Sequence, residues 1–256
     1  GRMEAALTPG ELAFLLPRLK ELGDARLQLE TDIRGRGEEL ALPYLRLDDG
    51  STGQQLLEAS VTTETLGRHP RLRADIEGLW LNEEWARRLG GFLHADAAET
   101  LRLSEALCPA EMQGWIAHST ADGATQADLH LQSPAGTLAV AGRMTREGDI
   151  DLQTTAKQMA LNALLPAKWH EPWGNLSLKA AIQGLLPKKG TPPDLRCEGT
   201  VETLEYRGHS YRNVPFEAAC HDSDYRATAS LTDDDGDAEI QIDTRQSGGG
   251  RRSLAC

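Results

Sequence analysis

Apolar and polar residues alternate along most of the chain, and short turns interrupt the alternation. The stretch EYRGHSYRNVPFEAACHDSDYRATASLTDDDGDAEIQID, residues 205–243, shows this pattern clearly. A period of two residues is typical of a β-strand with one apolar and one polar face. Equivalent alternation predicts earlier strands within 25–35, 39–50, 56–70, 71–81, 113–120, 125–133, 136–144, 149–156, 175–184 and 194–206.

Tight turns join these strands, which predicts a mostly antiparallel meander. In the run ELALPYLRLDDG the alternation slips by one residue at Pro43–Tyr44, and such a slip is typical of a β-bulge. The alternating apolar face has two possible uses: packing against a second sheet, or lining an internal groove. On the pattern alone an ordinary core is favoured, because most alternation serves packing. The turns fall at 48–50, 67–70, 122–123, 133–136 and 147–148.

Three segments break the two-residue period and predict short helices at junctions between strand groups. The first spans 7–22, with Thr8 as N-cap and Pro9 just inside. The second spans 82–107, with Asn82 as cap, and Pro109 stops it. The third is MALNALLPAKWH, residues 159–170.

These junctions divide the chain into a first unit at 1–107, a second at 108–172 and a C-terminal meander at 173–244. Residues 245–256 are glycine-rich and are predicted to be disordered. We expect one continuous, elongated architecture rather than independent domains. The opening residues GRMEAALTPG read as the middle of something longer, so we expect a fragment of a larger protein.

Composition narrows the function. The chain has 256 residues, 39% of them hydrophobic and only 5% aromatic, so leucine, alanine and valine must supply the packing. Its formal net charge is −12, which argues against a nucleic-acid-binding or anionic-membrane surface, because both need a positive field. No run of 18 apolar residues is present, so nothing in this sequence is expected to span a membrane.

Polar clusters give little support for catalysis or metal binding. The turn DDDGD at 233–237 lacks the spacing and distal glutamate of a calcium loop. His118 and His130 could lie on adjacent strands, but surface histidine is the default interpretation. Nothing orients His118, Ser119 and Asp122 as a catalytic triad. No carboxylate pair stands out as a glycosidase would require, so we expect no enzyme, no metal and no cofactor.

The tryptophans fall near the helix–strand junctions. Packing of the helices over the ends of the sheet explains this placement, and a platform for stacking carbohydrate is the rival interpretation. The five residues are Trp80, Trp85, Trp115, Trp169 and Trp173.

Three stretches together resemble the TamB-type family, the translocation and assembly module proteins of the AsmA-like superfamily. Residues 7–61 pair a short helix ending in PRLKEL with a strand, a glycine and a strand that finishes in a polar-Gly turn. Residues 161–184, with LNALLP and later NLSLKAAIQG, resemble the family's helix-to-strand junction. Residues 198–243 resemble its C-terminal strand run. The departures are His209 in place of an aromatic residue, and an acidic turn in place of a Pro–Asn turn.

This resemblance implies an all-β fold: an elongated, curled, mostly antiparallel sheet forming a taco-like trough, with a few short helices. It implies a periplasmic location in a Gram-negative envelope, with an inner-membrane anchor elsewhere in the full-length protein. It implies transport of phospholipid, whose acyl chains the apolar face would hold, and a partner barrel in the outer membrane. Two alternatives remain open: a scaffold for outer-membrane protein assembly that acts through its sheet edges, and an ordinary β-sandwich binding module.

The inward alternating residues are the candidates for this apolar surface. They would line an open trough or its closed seam, and the sequence leaves both possibilities open. The candidates are Leu27, Leu29, Leu40, Leu42, Leu72, Ile76, Leu129, Leu131, Leu138, Val140, Leu176, Leu178, Ile182, Phe216 and Ala218.

Two cysteines permit a geometric test. A turn centred between Gly208 and His209 would place opposite each other residues whose numbers sum to 417, and Cys197 and Cys220 satisfy that sum. An oxidising periplasm would permit a disulfide there. The alternative is two small buried apolar residues on an inward face.

Overall fold

A computed structural model of the chain describes residues 1–9, 25–64, 69–92, 97–165, 173–186, 193–221, 224–233, 236–247 and 251–255. The chain forms two compact units. Unit 1 comprises 1–123 and 127–135, and unit 2 comprises 124–126 and 136–256.

Unit 1 contains the first strands and two of the short helices. The elements are β1 (Arg2–Leu7), β2 (Leu27–Arg36), β3 (Glu39–Asp49), β4 (Gln55–Glu64), β5 (Arg71–Leu81), α1 (Glu83–Phe92), α2 (Ala97–Leu107), β6 (Ala110–Ser119) and most of β7 (Ala124–Ser133).

Unit 2 contains the remaining strands and one helical turn. The elements are β8 (Gly136–Met144), β9 (Asp149–Ala160), α3 (Leu161–Leu164), β10 (Trp173–Leu185), β11 (Asp194–Tyr206), β12 (His209–His221), β13 (Asp224–Asp233), β14 (Gly236–Ser247) and β15 (Arg251–Ala255).

Within each unit, strands that follow each other in the chain are hydrogen-bonded neighbours in the sheet. The registered pairs are antiparallel. The predicted all-β class with a mostly antiparallel sheet and a few short helices is therefore confirmed. The strands of each unit therefore belong to one hydrogen-bonded sheet and not to two separately hydrogen-bonded sheets.

The slip in alternation at Pro43–Tyr44 is a β-bulge, as predicted. Leu42 pairs with Val61 and Leu45 with Ala59, so two residues of β3 oppose one residue of β4. The bulge returns Leu45 to the face that Leu42 occupies, which keeps the apolar residues of β3 together.

The helices are shorter than predicted. The single helix predicted over 82–107 is two helices, α1 and α2, and the side chain of Asn82 caps α1 by accepting a hydrogen bond from the Trp85 N–H at 2.9 Å. The predicted start of the third helix at residue 159 is wrong, because Met159 still pairs with Leu176 of β10. Thr8 and Pro9 are described, but the rest of the predicted first helix lies outside the described residues.

Strand pairing also runs across two of the predicted junctions. Strand β5 pairs with β6 across α1 and α2, and β9 pairs with β10 across the third junction. The helical junctions therefore do not interrupt the sheet. The C-terminal segment, predicted to be disordered, instead contains β15, which pairs with β14 and satisfies backbone groups that an edge strand would leave open.

The register of the β11–β12 hairpin corrects the predicted cysteine pair. Tyr206 pairs with His209 across a two-residue turn of Arg207 and Gly208, whose φ angles of 52° and 79° suit a type I′ turn. Opposed residues consequently sum to 415, not 417. Cys197 faces Ala218 and Cys220 faces Leu195, and both thiols are free.

Candidate functional site

Strand pairing in unit 2 collects apolar residues on one side of the sheet, which we call apolar face 2. Paired residues lie on the same face of a sheet, so each registered row can be followed from strand to strand. One row runs Leu138, Ala156, Leu178, Val201 and Val214, and another runs Leu152, Ile182, Cys197, Ala218 and Ala227. All seven predicted residues of this unit lie on apolar face 2: Leu138, Val140, Leu176, Leu178, Ile182, Phe216 and Ala218.

The opposite side of unit 2 is polar and carries surface ion pairs. Lys179 Nζ lies 2.6 Å from Glu202 Oε1, and Arg196 lies 3.2 Å from Glu198 and 3.7 Å from Glu217. Each of these residues is exposed or half-buried. The two-residue alternation predicted from the sequence thus separates the two faces cleanly.

The candidates on apolar face 2 are all half-buried, whereas Ile150, Ala156 and Ala180 on the same face are buried. Packing against a second layer would bury side chains in the middle of a sheet. In unit 2 the extensive contacts join neighbouring strands, together with one helical turn against β10. The apolar side chains of the described residues are therefore covered mainly by their neighbours in the same sheet.

Unit 1 has an equivalent surface, which we call apolar face 1. Leu29 pairs with Leu47, Ile76 with Ala59, and Leu72 with Thr63, which in turn pairs with Leu40. Six predicted residues share this face: Leu27, Leu29, Leu40, Leu42, Leu72 and Ile76. Leu129 and Leu131 are half-buried on one face of β7, and the Leu129 backbone lies against Gly114, the partner of Ile76.

Helix α1 covers one end of apolar face 1. Trp85 packs with Ala25, Leu27 and Leu56 in a buried cluster. Leu27 is consequently only 5% exposed. Leu72 lies at the start of β5, far from the end of that strand that leads into α1, and is 42% exposed. Leu27 therefore belongs to the packing of α1, and Leu72 belongs to the accessible part of the face.

An aspartate fixes this helix to the sheet. Asp49 is 7% exposed and accepts hydrogen bonds from Trp85 Nε1 at 3.0 Å and from the Ser51 N–H at 2.7 Å. Burial alone raises the pKa of Asp49, but hydrogen bonds from Trp85, Ser51 and Thr52 outweigh it, and the pKa is lowered from its ordinary 3.8.

Three threonines on the apolar faces donate hydrogen bonds to backbone carbonyls. The hydroxyl of Thr31 donates to the Tyr44 carbonyl at 2.7 Å, and that of Thr63 donates to the Leu40 carbonyl at 3.0 Å. The Thr154 hydroxyl donates to the Ala139 carbonyl at 3.2 Å. These threonines satisfy their donors within the sheet, so they do not make the face hydrophilic.

A depression lies on the polar face of unit 2. In unit 2 a shallow depression of about 570 Å³ lies over the polar side of β9 to β13 and is lined by Gln153, Lys179, Glu198, Thr200 and Glu217 among others. A twisted sheet is saddle-shaped, so each face is concave along one direction. This depression therefore lies on the side of the sheet opposite apolar face 2.

The groups considered for catalysis are not arranged for it. His118 lies on apolar face 1 opposite Leu72, whereas Ser119, the next residue of the strand, faces the other way. His130 Nε2 lies 3.1 Å from Asp128 on exposed surface. Among the described residues no group of three or more His, Cys, Asp or Glu could hold a metal ion. The turn at 233–237 lies partly outside the described residues.

Cys108 and Cys197 are poor nucleophiles. Burial raises the pKa of the Cys197 thiol, and Glu198 adds to the effect; burial and then Glu83 do the same at Cys108. Both thiols are therefore protonated at neutral pH. The Cys220 thiol lies 3.8 Å from the Pro193 carbonyl.

The tryptophans serve different roles. Trp85 packs a helix on the sheet, as predicted, and Trp173 contacts Tyr206 with ring centroids 4.6 Å apart. Trp80 and Trp115 instead lie on the polar side of unit 1, opposite Glu111 and Asp75 respectively. Trp169 lies outside the described residues.

Several residues of the apolar faces were not predicted. Ile116 pairs with Ala74, Leu152 with Ile182, and Val201 with Val214. The same alternation that identified their neighbours would have identified them.

Among the described residues no helix is both long and apolar enough to cross a membrane. No family model matches the chain, and neither a curated protein nor a solved structure matches it. The function is therefore argued from the sequence resemblance together with the two apolar faces.

Proposed function

We propose that the protein is a non-enzymatic lipid-handling protein whose apolar sheet faces hold the acyl chains of phospholipids. On this proposal it is the periplasmic part of a TamB-like envelope protein and passes phospholipid between the inner and outer membranes. The full-length protein would be anchored in the inner membrane and would work with an outer-membrane barrel.

The observation that carries the proposal is the set of half-buried leucines and valines on apolar face 2. They are brought into registered rows and keep part of their surface exposed, although Ile150, Ala156 and Ala180 on the same face are buried. An acyl chain on this face would be stabilised by roughly 0.8 kcal/mol for each CH₂ removed from water. Because successive rows have the same character, a chain could move from one to the next without specific recognition.

The polar face complements this role. It carries many charged and hydroxyl-bearing side chains, and ion pairs such as Lys179–Glu202 neutralise part of the charge. One side of the sheet can remain hydrated while the other holds lipid, so the same strands serve solubility and binding. The sequence resemblance implies the envelope location and transport between two membranes.

Site-specific photo-crosslinking tests the proposal. A benzophenone amino acid would replace Leu178 on apolar face 2, and in a second protein would replace Lys179, whose side chain is 62% exposed on the polar face. After irradiation with radiolabelled phospholipid vesicles, we expect lipid adducts at position 178 and few at position 179. Equal labelling at both positions, or none at either, would overturn the proposal.

A further inference from the structure

Two large aromatic side chains lie on the polar side of unit 1. Trp80 pairs with Glu111, and Trp115 pairs with Asp75, so both share the face that carries Arg73. Both are half-buried. Exposed aromatic surface among charged and amide groups is informative, because neither helix packing nor a core accounts for it there.

Trp80 is laid against the backbone. A Cβ placed on Gly78 would come within 2.2 Å of Cη2 and Cζ2 of Trp80, so the six-membered part of the indole covers the Gly78 Cα. Gly78 is buried beneath it while Trp80 stays half-buried. One face of the ring is therefore seated on the sheet, and the glycine is what permits the ring to lie there.

Trp115 is supported by an arginine that is itself held in place. The Arg73 guanidinium carbon lies 4.5 Å from the centroid of the Trp115 ring. Asp75 accepts from Arg73 Nε at 3.0 Å and from Nη2 at 2.7 Å, so the guanidinium charge is neutralised locally. Between the two tryptophans along β6, Gln113 donates to Glu111 at 2.9 Å.

We propose that Trp80 and Trp115 form a stacking site for an uncharged oligosaccharide of pyranose rings. A pyranose in the gluco configuration presents axial C–H groups on its ring faces and hydroxyls at its edge, which matches a flat indole bordered by carboxylate and amide groups. The Arg73 charge beside Trp115 is paired with Asp75, and the Glu111 carboxylate beside Trp80 disfavours an anionic ligand. Trp80 pairs with Glu111, and Trp115 lies four residues from Glu111 along β6, which is a distance of about 13 Å along the strand. A ligand that contacts both tryptophans must therefore contain more than one ring.

Calorimetric titration tests this site, with cellohexaose and chitohexaose as separate probes. We expect saturable binding of at least one of them by the wild-type protein. Trp80→Ala should weaken that binding about tenfold or more, because it removes the seated ring. Gly78→Ala keeps the indole but displaces it, so it should weaken binding as well. Trp173→Phe, in unit 2, is the matched control and should bind like the wild type.

The outcomes separate this site from the apolar faces. Absence of binding of either hexaose by the wild type overturns the proposal, as does unchanged affinity in a folded Trp80→Ala or Gly78→Ala protein. Circular dichroism checks the fold of each variant. Lipid crosslinking at position 178 is measured on the other face and in the other unit, so the two proposals stand or fall separately.

Discussion

Asp49 illustrates how one side chain connects distant parts of the sequence. It ends β3, and it accepts the indole N–H of Trp85, 36 residues later. Its hydrogen bonds favour the ionised carboxylate over the acid. A carboxylate whose pKa is lowered on folding stabilises the folded state above its unfolded pKa, and the stabilisation is lost as the pH falls through the folded pKa.

Asp49→Asn should therefore lower the free energy of unfolding at neutral pH by about 1–3 kcal/mol, because charge-assisted hydrogen bonds are replaced by weaker ones. The difference from the wild type should shrink below about pH 4, where the unfolded carboxyl is protonated. Urea unfolding at a series of pH values measures it. Asp48→Asn, on the polar face, is the control and should cost less. A difference that is the same at acid and neutral pH would contradict this role.

Residue-level features were predictable where they depend on near neighbours. Asn82 was predicted as a helix cap because a cap contacts residues two or three positions later. The contact between Asp49 and Trp85 could not be predicted in the same way, because it requires knowing which strand ends meet helix α1.

At the scale of elements, the cap of α1 can be tested alone. Asn82→Ala should destabilise the protein by about 1 kcal/mol, because the Trp85 N–H loses its acceptor. Asn82→Asp keeps that acceptor and loses only the hydrogen bond from Asn82 Nδ2 to Gln54. Thermal unfolding of both variants should show the larger loss for alanine. Equal losses would mean that the Gln54 contact, not the cap, matters.

The β11–β12 register predicts a new crosslink. Because Cys197 faces Ala218, Ala218→Cys should form a disulfide with Cys197 under mild oxidation, since directly opposed Cβ atoms lie near disulfide range. Ala219→Cys, on the other face, should not. Peptide mapping identifies the bond. A Cys197–Cys220 disulfide in the wild-type protein would show that the register differs from the one described.

Alternation predicted the strands well, because a half-buried strand must repeat every two residues. It even located the bulge near Pro43. It did not fix the hairpin turn, because Arg207 adopts a positive φ that glycine or asparagine more commonly occupies. The error of one residue in the turn centre moved every opposed pair by two. Residues 159–160 were wrongly predicted to be helical. Their conformation is decided by pairing with β10, which the local sequence pattern does not show.

At the scale of the whole molecule, the continuity of strand order matters most. Helices at the junctions do not interrupt pairing within either unit, so each unit presents an apolar face over many strands. The sequence alone left open whether that face was an ordinary core. The half-buried leucines and valines of unit 2 favour an accessible surface, and this distinction depends on which elements pack together, which no local pattern reports.

The central claim is that an apolar face binds phospholipid, and adjacent alanines provide a matched test. Ala218 lies between Cys197 and Ala227 on apolar face 2, whereas Ala219 lies between Arg196 and Arg226 on the polar face. An aspartate at position 218 places a charge where an acyl chain would lie. An aspartate at position 219 meets two arginines.

The most direct measurement is the molar ratio of phospholipid that co-purifies with the wild type, Ala218→Asp and Ala219→Asp, determined by mass spectrometry of native extracts. Circular dichroism confirms that each protein is folded. We expect appreciable phospholipid with the wild type and with Ala219→Asp, and about tenfold less or lower with Ala218→Asp. A folded wild-type protein that carries no phospholipid, or equal lipid in the two variants, would contradict the account.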